Sequence, residues 1–206
     1  MMTVYSIHPV NPQKRGLEAA ARILSDSGGI AVYPTDSVYG LGACVTNSRG
    51  IDKIARLLER DKARPLSFIC SDFSQVSRYV KLSNAHYRLM KRCLPGPYTF
   101  ILCATTLVPK RIMPRRKTVG VRMPNCVVTL ELIKLLGEPL ANTSINISGE
   151  LANDPNEIIS AVQHEVDVML DTGPLDSPEP STVVDLTDDT PVLIRQGKGE
   201  WDDSWS

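Results

Sequence analysis

The chain has 206 residues, with 23 Lys/Arg against 23 Asp/Glu and so no formal net charge at pH 7. At 42% hydrophobic and 22% charged it has the composition of one globular domain, which excludes a disordered, collagenous or disulfide-stapled chain. No apolar run approaches about 18 residues, and Met1–Pro12 has no apolar core of the signal-peptide kind, so a cytoplasmic protein without a membrane span is expected.

Asn11 and Pro12 read as the N-cap and first turn of a helix that carries Leu17, Ala20, Ala21 and Leu24 and stops at Gly28–Gly29. Ile30–Tyr33 is a buried strand ended by Pro34. Ser48 caps a second helix with Ile51, Ile54, Ala55 and Leu58 on one face. Leu66–Cys70 is a strand, and Asp72 caps a short helix towards Tyr79. Asn84–Cys93 is a helix that Pro95–Gly96–Pro97 breaks. Tyr98–Ala104 and Val119–Arg122 are strands, Val127–Leu136 is a helix ended by Gly137, and Pro139–Thr143 leads into a turn. Pro155–His164 is a helix and Val166–Leu170 a strand. Ser181–Leu186 and Pro191–Arg195 form a hairpin across Thr187–Thr190. Strands mixed with helices throughout predict an α/β single domain over residues 1–206, built on a mixed sheet. The tail from Gly199 is acidic and holds both tryptophans, Trp201 and Trp205. It is expected to be flexible, or docked on the body or on a partner chain.

Charge is segregated along the chain. Residues 49–122 hold 17 Lys/Arg against four Asp/Glu, and residues 123–206 hold three against 16. One consequence is a basic face suited to polyphosphate or nucleic acid; the other is two charge sets interleaved in space. The cysteines, Cys44, Cys70, Cys93, Cys103 and Cys126, are odd in number and lack CxxC spacing, so they read as buried thiols rather than zinc ligands or disulfides. None of His8, His86 and His164 stands beside a plausible nucleophile or in a ligand pair, which disfavours Ser-His-Asp and zinc chemistry. Neither GxGxxG nor GxxxxGK[ST] occurs. An enzyme of this composition works by positioning reactants and neutralising charge.

Three segments can carry such a site. Pro34–Gly42 follows a strand directly and offers hydroxyls, the Asp36 carboxylate, the Tyr39 phenol and two glycines; it is either a ligand loop or a strand-ending turn with Asp36 as a helix cap. Asn142–Gly149 clusters neutral hydrogen-bonding side chains of the kind that hold a ribose, a phosphate or a carboxylate, or is a polar turn. Arg56, Arg60, Lys62 and Arg64 end the second helix, while Arg122 and Arg195 each end a strand and can fork onto carboxylate or phosphate oxygens.

Five segments in the same order resemble the YrdC/YciO family: PTDSVYGLG (34–42), PGPYTFIL (95–102), VGVRMP (119–124), TSINISG (143–149) and STVVDLTDDTPVLIRQGKG (181–199). IHPVNPQ at the start and DLTDDTPV look closest to the YciO subgroup. The resemblance implies a twisted mixed α/β sheet around a deep basic cavity. It implies condensation of L-threonine, bicarbonate and ATP, with Mg²⁺, into threonylcarbamoyl-AMP and pyrophosphate, for the threonylcarbamoyladenosine modification of tRNA by downstream transfer proteins. Some members bind double-stranded RNA, so the alternative is a nucleotide- or RNA-binding member with weak or no synthesis. By motif, Thr35, Arg122 and Thr143 fall at threonine. Arg60, Ser144 and Asn146 fall at the reacting centre, and Arg56, Arg60, Lys62, Ser144, Asn146, Ser181 and Arg195 at the nucleotide. One position departs from the family. Counting back from Pro65–Leu66, Leu58 stands where the synthases' KxR motif has its lysine. Arg60 keeps the arginine, and Arg56 and Lys62 are the neighbouring cations able to substitute.

Overall fold

A computed structural model of the chain describes residues 1–59, 66–110, 112, 117–147, 149–176, 178–202 and 205, with backbone alone at 58 and 59. Arg60, Lys62 and Arg64 lie outside the described residues. The elements in chain order are β1 Thr3–Ser6, α1 Lys14–Ser25, β2 Ala31–Tyr33, β3 Gly40–Cys44, α2 Ser48–Glu59, β4 Ser67–Ile69, α3 Phe73–Tyr79 and α4 Asn84–Cys93. There follow β5 Tyr98–Cys103, β6 Thr118–Arg122, α5 Val127–Leu136, β7 Leu140–Ser144, β8 Asn146–Ile147, β9 Glu150–Leu151, α6 Pro155–Val162, β10 Val168–Asp171, β11 Thr182–Asp185 and β12 Val192–Arg195. One twisted mixed sheet runs β1-β10-β2-β3-β7-β4-β6-β5-β11-β12, and β8 with β9 forms a separate antiparallel pair.

Period-two alternation sorts each strand's side chains between two faces. On one face Val32, Phe68, Phe100, Leu102, Val119, Val121, Met169 and Val184 pack under α2, α3, α4 and α6 through Ile54, Val76, Met90 and Ile158. On the other, Ala31, Tyr33, Ile69, Leu140, Val168 and Leu170 pack under α1 and α5 through Leu17, Leu24, Leu132 and Ile133. These two helices cover only the β1-to-β4 part of that face. The rest, across β4, β6, β5, β11 and β12, carries polar side chains and forms the wall of a cavity.

Several boundaries differ from the sequence reading, each for a local reason. Helix α1 starts at Lys14 with Gln13 as N-cap, so Asn11 and Pro12 precede it. Asn47, not Ser48, caps α2: its Oδ1 accepts from the Gly50 N–H at 3.1 Å, and from Gly28 N–H at 3.0 Å. Asp72 does cap α3, accepting from Gln75 N–H at 2.9 Å. Residues 140–144, expected to run into a turn, are strand β7, which pairs with β3 and β4. The tail docks: the Tyr98 hydroxyl donates to the Glu200 carbonyl at 2.6 Å, and Trp201 and Trp205 pack edge to face, 5.2 Å apart, against the larger core.

Candidate functional site

The cavity has a volume of about 740 Å³, within the size range of small-molecule sites. Strand alternation builds it. Thr99, Ile101 and Cys103 of β5 face it while Phe100 and Leu102 face the core. Thr118, Gly120 and Arg122 of β6 face it, with Val119 also in the lining, while Val121 turns into the core. Asn142 and Ser144 of β7, Ser67 of β4, and Val183 and Asp185 of β11 complete the floor, with Thr143 at its margin and Arg195 of β12 at the far side. Arg122 and Arg195 are its described cations, and Asp185 and Asp188 its described carboxylates.

Arg122 anchors one end. It is 5% exposed and its Nη2 donates to Asp36 Oδ1 and, at 3.4 Å, to Thr35 Oγ1. Asp36 is held from behind, its Oδ2 accepting from the Asn125 N–H at 2.8 Å. The Arg122 Nε is buried with no partner among the described residues, so the guanidinium retains an unused donor. Tyr33 lies nearby: burial pushes its phenol well above the usual range, with the positive charge of Arg122 opposing that rise. At the other end the Ser181 carbonyl accepts from Arg195 Nε at 3.2 Å and Nη2 at 2.7 Å. The Ser181 hydroxyl pairs with Thr99 Oγ1 at 2.8 Å.

The structure brings Arg122, Thr143, Ser144, Ser181 and Arg195 to one cavity. Thr35 sits behind Arg122 instead. Its Oγ1 accepts from Ser37 N–H and Val38 N–H and donates to the Val38 carbonyl at 2.6 Å, so the hydroxyl shapes its own turn. Asn146 stands outside the lining, on β8, with a buried Oδ1 that has no partner among the described residues. Arg56 lies apart on α2, bonded to its own helix at the Asp52 carbonyl and lining a separate cleft with Lys53 and Asp167. The two glycines of the first loop have a packing role: a Cβ at Gly40 would come within 2.9 Å of Tyr33 Cε2, and one at Gly42 within 2.6 Å of its hydroxyl. Tyr39 ties β3 to the end of β10, donating to the Gly173 carbonyl at 2.8 Å and accepting from Thr172 N–H at 3.1 Å. Asn142 belongs to the polar segment 142–149 that the sequence singles out, whereas Ser67, Thr99 and Asp185 are lining residues that the sequence reading missed; for Thr99 the usable signal is the alternation of polar with apolar side chains in β5.

These features define an α/β protein whose half-covered mixed sheet holds a polar, arginine-bearing cavity of small-molecule size. Comparison gives the family. The Sua5/YciO/YrdC family model, described as telomere recombination, matches residues 24–197, and the chain belongs to that family. An uncharacterized protein of Haemophilus influenzae is 41% identical over 203 residues, covering 97% of each chain. The Escherichia coli protein YciO, also described as uncharacterized, is 39% identical; its crystal structure superposes with a TM-score of 0.90 over 97% of this chain and 98% of its own. The threonylcarbamoyl-AMP synthase of Pyrococcus abyssi is 32% identical over 91% of this chain, which spans only 57% of that longer protein. The crystal structure of Pyrococcus abyssi Sua5 with L-threonine matches with a TM-score of 0.88 over 95% of this chain and 58% of its own. Among the described residues no helix is long and apolar enough to cross a membrane, and no group of three His, Cys, Asp or Glu side chains could hold a metal ion.

Proposed function

We propose that the protein is a cytoplasmic threonylcarbamoyl-AMP synthase acting in tRNA modification. The observation that carries this reading is the meeting of Arg122, Thr143, Ser144, Ser181 and Arg195 in one cavity, with the Arg122 Nε unpaired among the described residues. The amine of L-threonine adds to the carbon of bicarbonate, water leaves, and a carbamate forms. A carbamate oxygen then bonds to the α-phosphorus of ATP, the bond to the bridging oxygen breaks, and pyrophosphate departs. Arg122 with Thr143 takes the threonine end, with Thr35 bracing Arg122 from behind. Ser144, Asn146, Ser181 and Arg195 take the nucleotide, and Arg60 and Lys62 neutralise the triphosphate. Mg²⁺ arrives with ATP; Asp185 and Asp188 are hard oxygen donors of the type it accepts. Arg56, which lines another cleft, is left out of this role. The product is a reactive mixed anhydride, so a transfer protein must receive it.

The test is threonine-dependent pyrophosphate release from ATP and bicarbonate, with Arg60→Ala and Ser144→Ala beside the wild type. Release that falls about tenfold or more in both variants is expected, the loss of one charged hydrogen bond or more. No release above the threonine-free rate overturns the synthase reading. Leu58, in place of the synthases' lysine, favours a second reading: a nucleotide- or RNA-binding member with weak or no synthesis. ATP binding without release, together with RNA binding that weakens steeply with salt, selects it.

A further inference from the structure

Tyr33 is fully buried, and its ring lies in the trough that Gly40 and Gly42 leave on β3. The trough carries its hydroxyl to Asn142, whose Oδ1 accepts from it at 2.7 Å. Among the described residues no other acceptor takes the phenolic proton. A buried O–H without an acceptor is costly, so the Asn142 amide must keep its oxygen towards Tyr33. Its NH₂ therefore faces the other way. One N–H reaches Ser67 Oγ at 3.4 Å, the second has no partner among the described residues, and both Asn142 and Ser67 line the cavity.

Asn142 stands opposite Ser67 on β4, and Ser67 stands opposite Gly120 on β6, two residues before Arg122 on the same face. Gly120 has no side chain to intervene; a Cβ there would sit 3.1 Å from Thr99 Cγ2 and 3.4 Å from Ser67 Cβ. Between Asn142 and Arg122 the floor thus carries only the short Ser67 side chain and the bare Gly120 backbone, and both Asn142 and Arg122 line the same cavity.

We infer that Asn142 is a further binding residue of the cavity, its amide NH₂ donating to a carboxylate oxygen of the bound amino acid beside Arg122, with Tyr33 as the positioning residue that sets the amide. The inference rests on the reading of this cavity as a threonine site. An amide turned this way offers only donors, which suits a carboxylate. A carboxylate at 142 would repel it.

The test is calorimetric binding of L-threonine and of L-threoninamide, in which a neutral amide replaces the carboxylate. The proteins are wild type, Asn142→Ala, Asn142→Asp, Tyr33→Phe and the Tyr33→Phe/Asn142→Ala double variant. Asn142→Ala and Tyr33→Phe should each weaken threonine binding about tenfold, and Asn142→Asp should weaken it further. The preference for threonine over threoninamide should shrink by the same factor. The double variant should bind no more weakly than Asn142→Ala, because Tyr33 acts through Asn142. A purely structural role would lower the melting temperature and leave that preference intact. Asn142→Ser, which keeps a polar group of shorter reach, serves if the alanine variant does not fold. Unchanged threonine binding by the Asn142 variants overturns the inference while the threonine reading stands. An additive double variant overturns the part given to Tyr33. A wild type that binds no threonine overturns the reading itself, and this inference with it.

Discussion

Asp36→Asn removes one charge and almost no volume, so it isolates the ion pair at the end of the cavity. The Arg122 side chain is 5% exposed and that of Asp36 12% exposed, and Asp36 is anchored by the Asn125 N–H. Breaking a buried pair from one side leaves the other charge uncompensated, at a cost of about 3–5 kcal/mol. Arg122 borders the cavity, where water offsets part of that cost, so the lower end, about 3 kcal/mol, is expected. For a chain of this length each kcal/mol moves the melting temperature by about 2–4 °C, which gives a fall of roughly 6–12 °C. Urea unfolding followed by circular dichroism should show a lower midpoint with an unchanged m-value. L-Threonine, in the proposed function, should restore more stability to the variant than to the wild type, because the cation it neutralises has lost its own partner. A variant within about 0.5 kcal/mol of the wild type, the range of an ordinary surface change, would refute the account of Arg122 and Asp36 as a coupled buried pair.

Gly42→Ala puts a Cβ 2.6 Å from the Tyr33 hydroxyl oxygen; displacing that ring should cost about 1–3 kcal/mol, read as a lower urea midpoint. Tyr98→Phe deletes the donor to the Glu200 carbonyl and should loosen the tail by about 1 kcal/mol. Both tryptophans are in the tail, so a red-shifted emission with unchanged far-ultraviolet dichroism is the expected signal, and unchanged emission would count against docking through this bond. Burial pushes the Cys93 thiol from 9.0 up to about 11. The unfolded chain then loses this proton first, so the stabilisation is complete below about pH 9 and is lost as pH rises towards about 11. Stability measured by urea at stepped pH should fall across that window, and a Cys93→Ala variant should show a shallower fall.

The helices were legible where periodicity and punctuation agreed. Asn84–Cys93 and Val127–Leu136 have the bounds their apolar spacing predicts, and Gly137 closes the second in the left-handed region at φ 77°. The hairpin of β11 and β12 was legible for the same reason, two apolar runs around a polar turn. Strands β1, β3 and β7 were not. Each has only four or five residues, and each pairs with segments far along the chain, as Thr3 with Val168 and Gly40 with Ser144. Nothing local distinguishes such a segment from a loop.

The candidate site divides in the same way. The α/β class, the family resemblance and the chemical types of the polar residues were readable from the chain alone, because these follow from composition, spacing and motif order. It could not show that Asp36 reaches across to Arg122, that Gly40 and Gly42 form a bed for Tyr33, or that Asn142 faces Ser67 on the cavity floor. Those neighbours are set by strand order and register. Register depends on which faces α1 and α5 cover and which they leave open, and that is a property of the packed sheet as a whole.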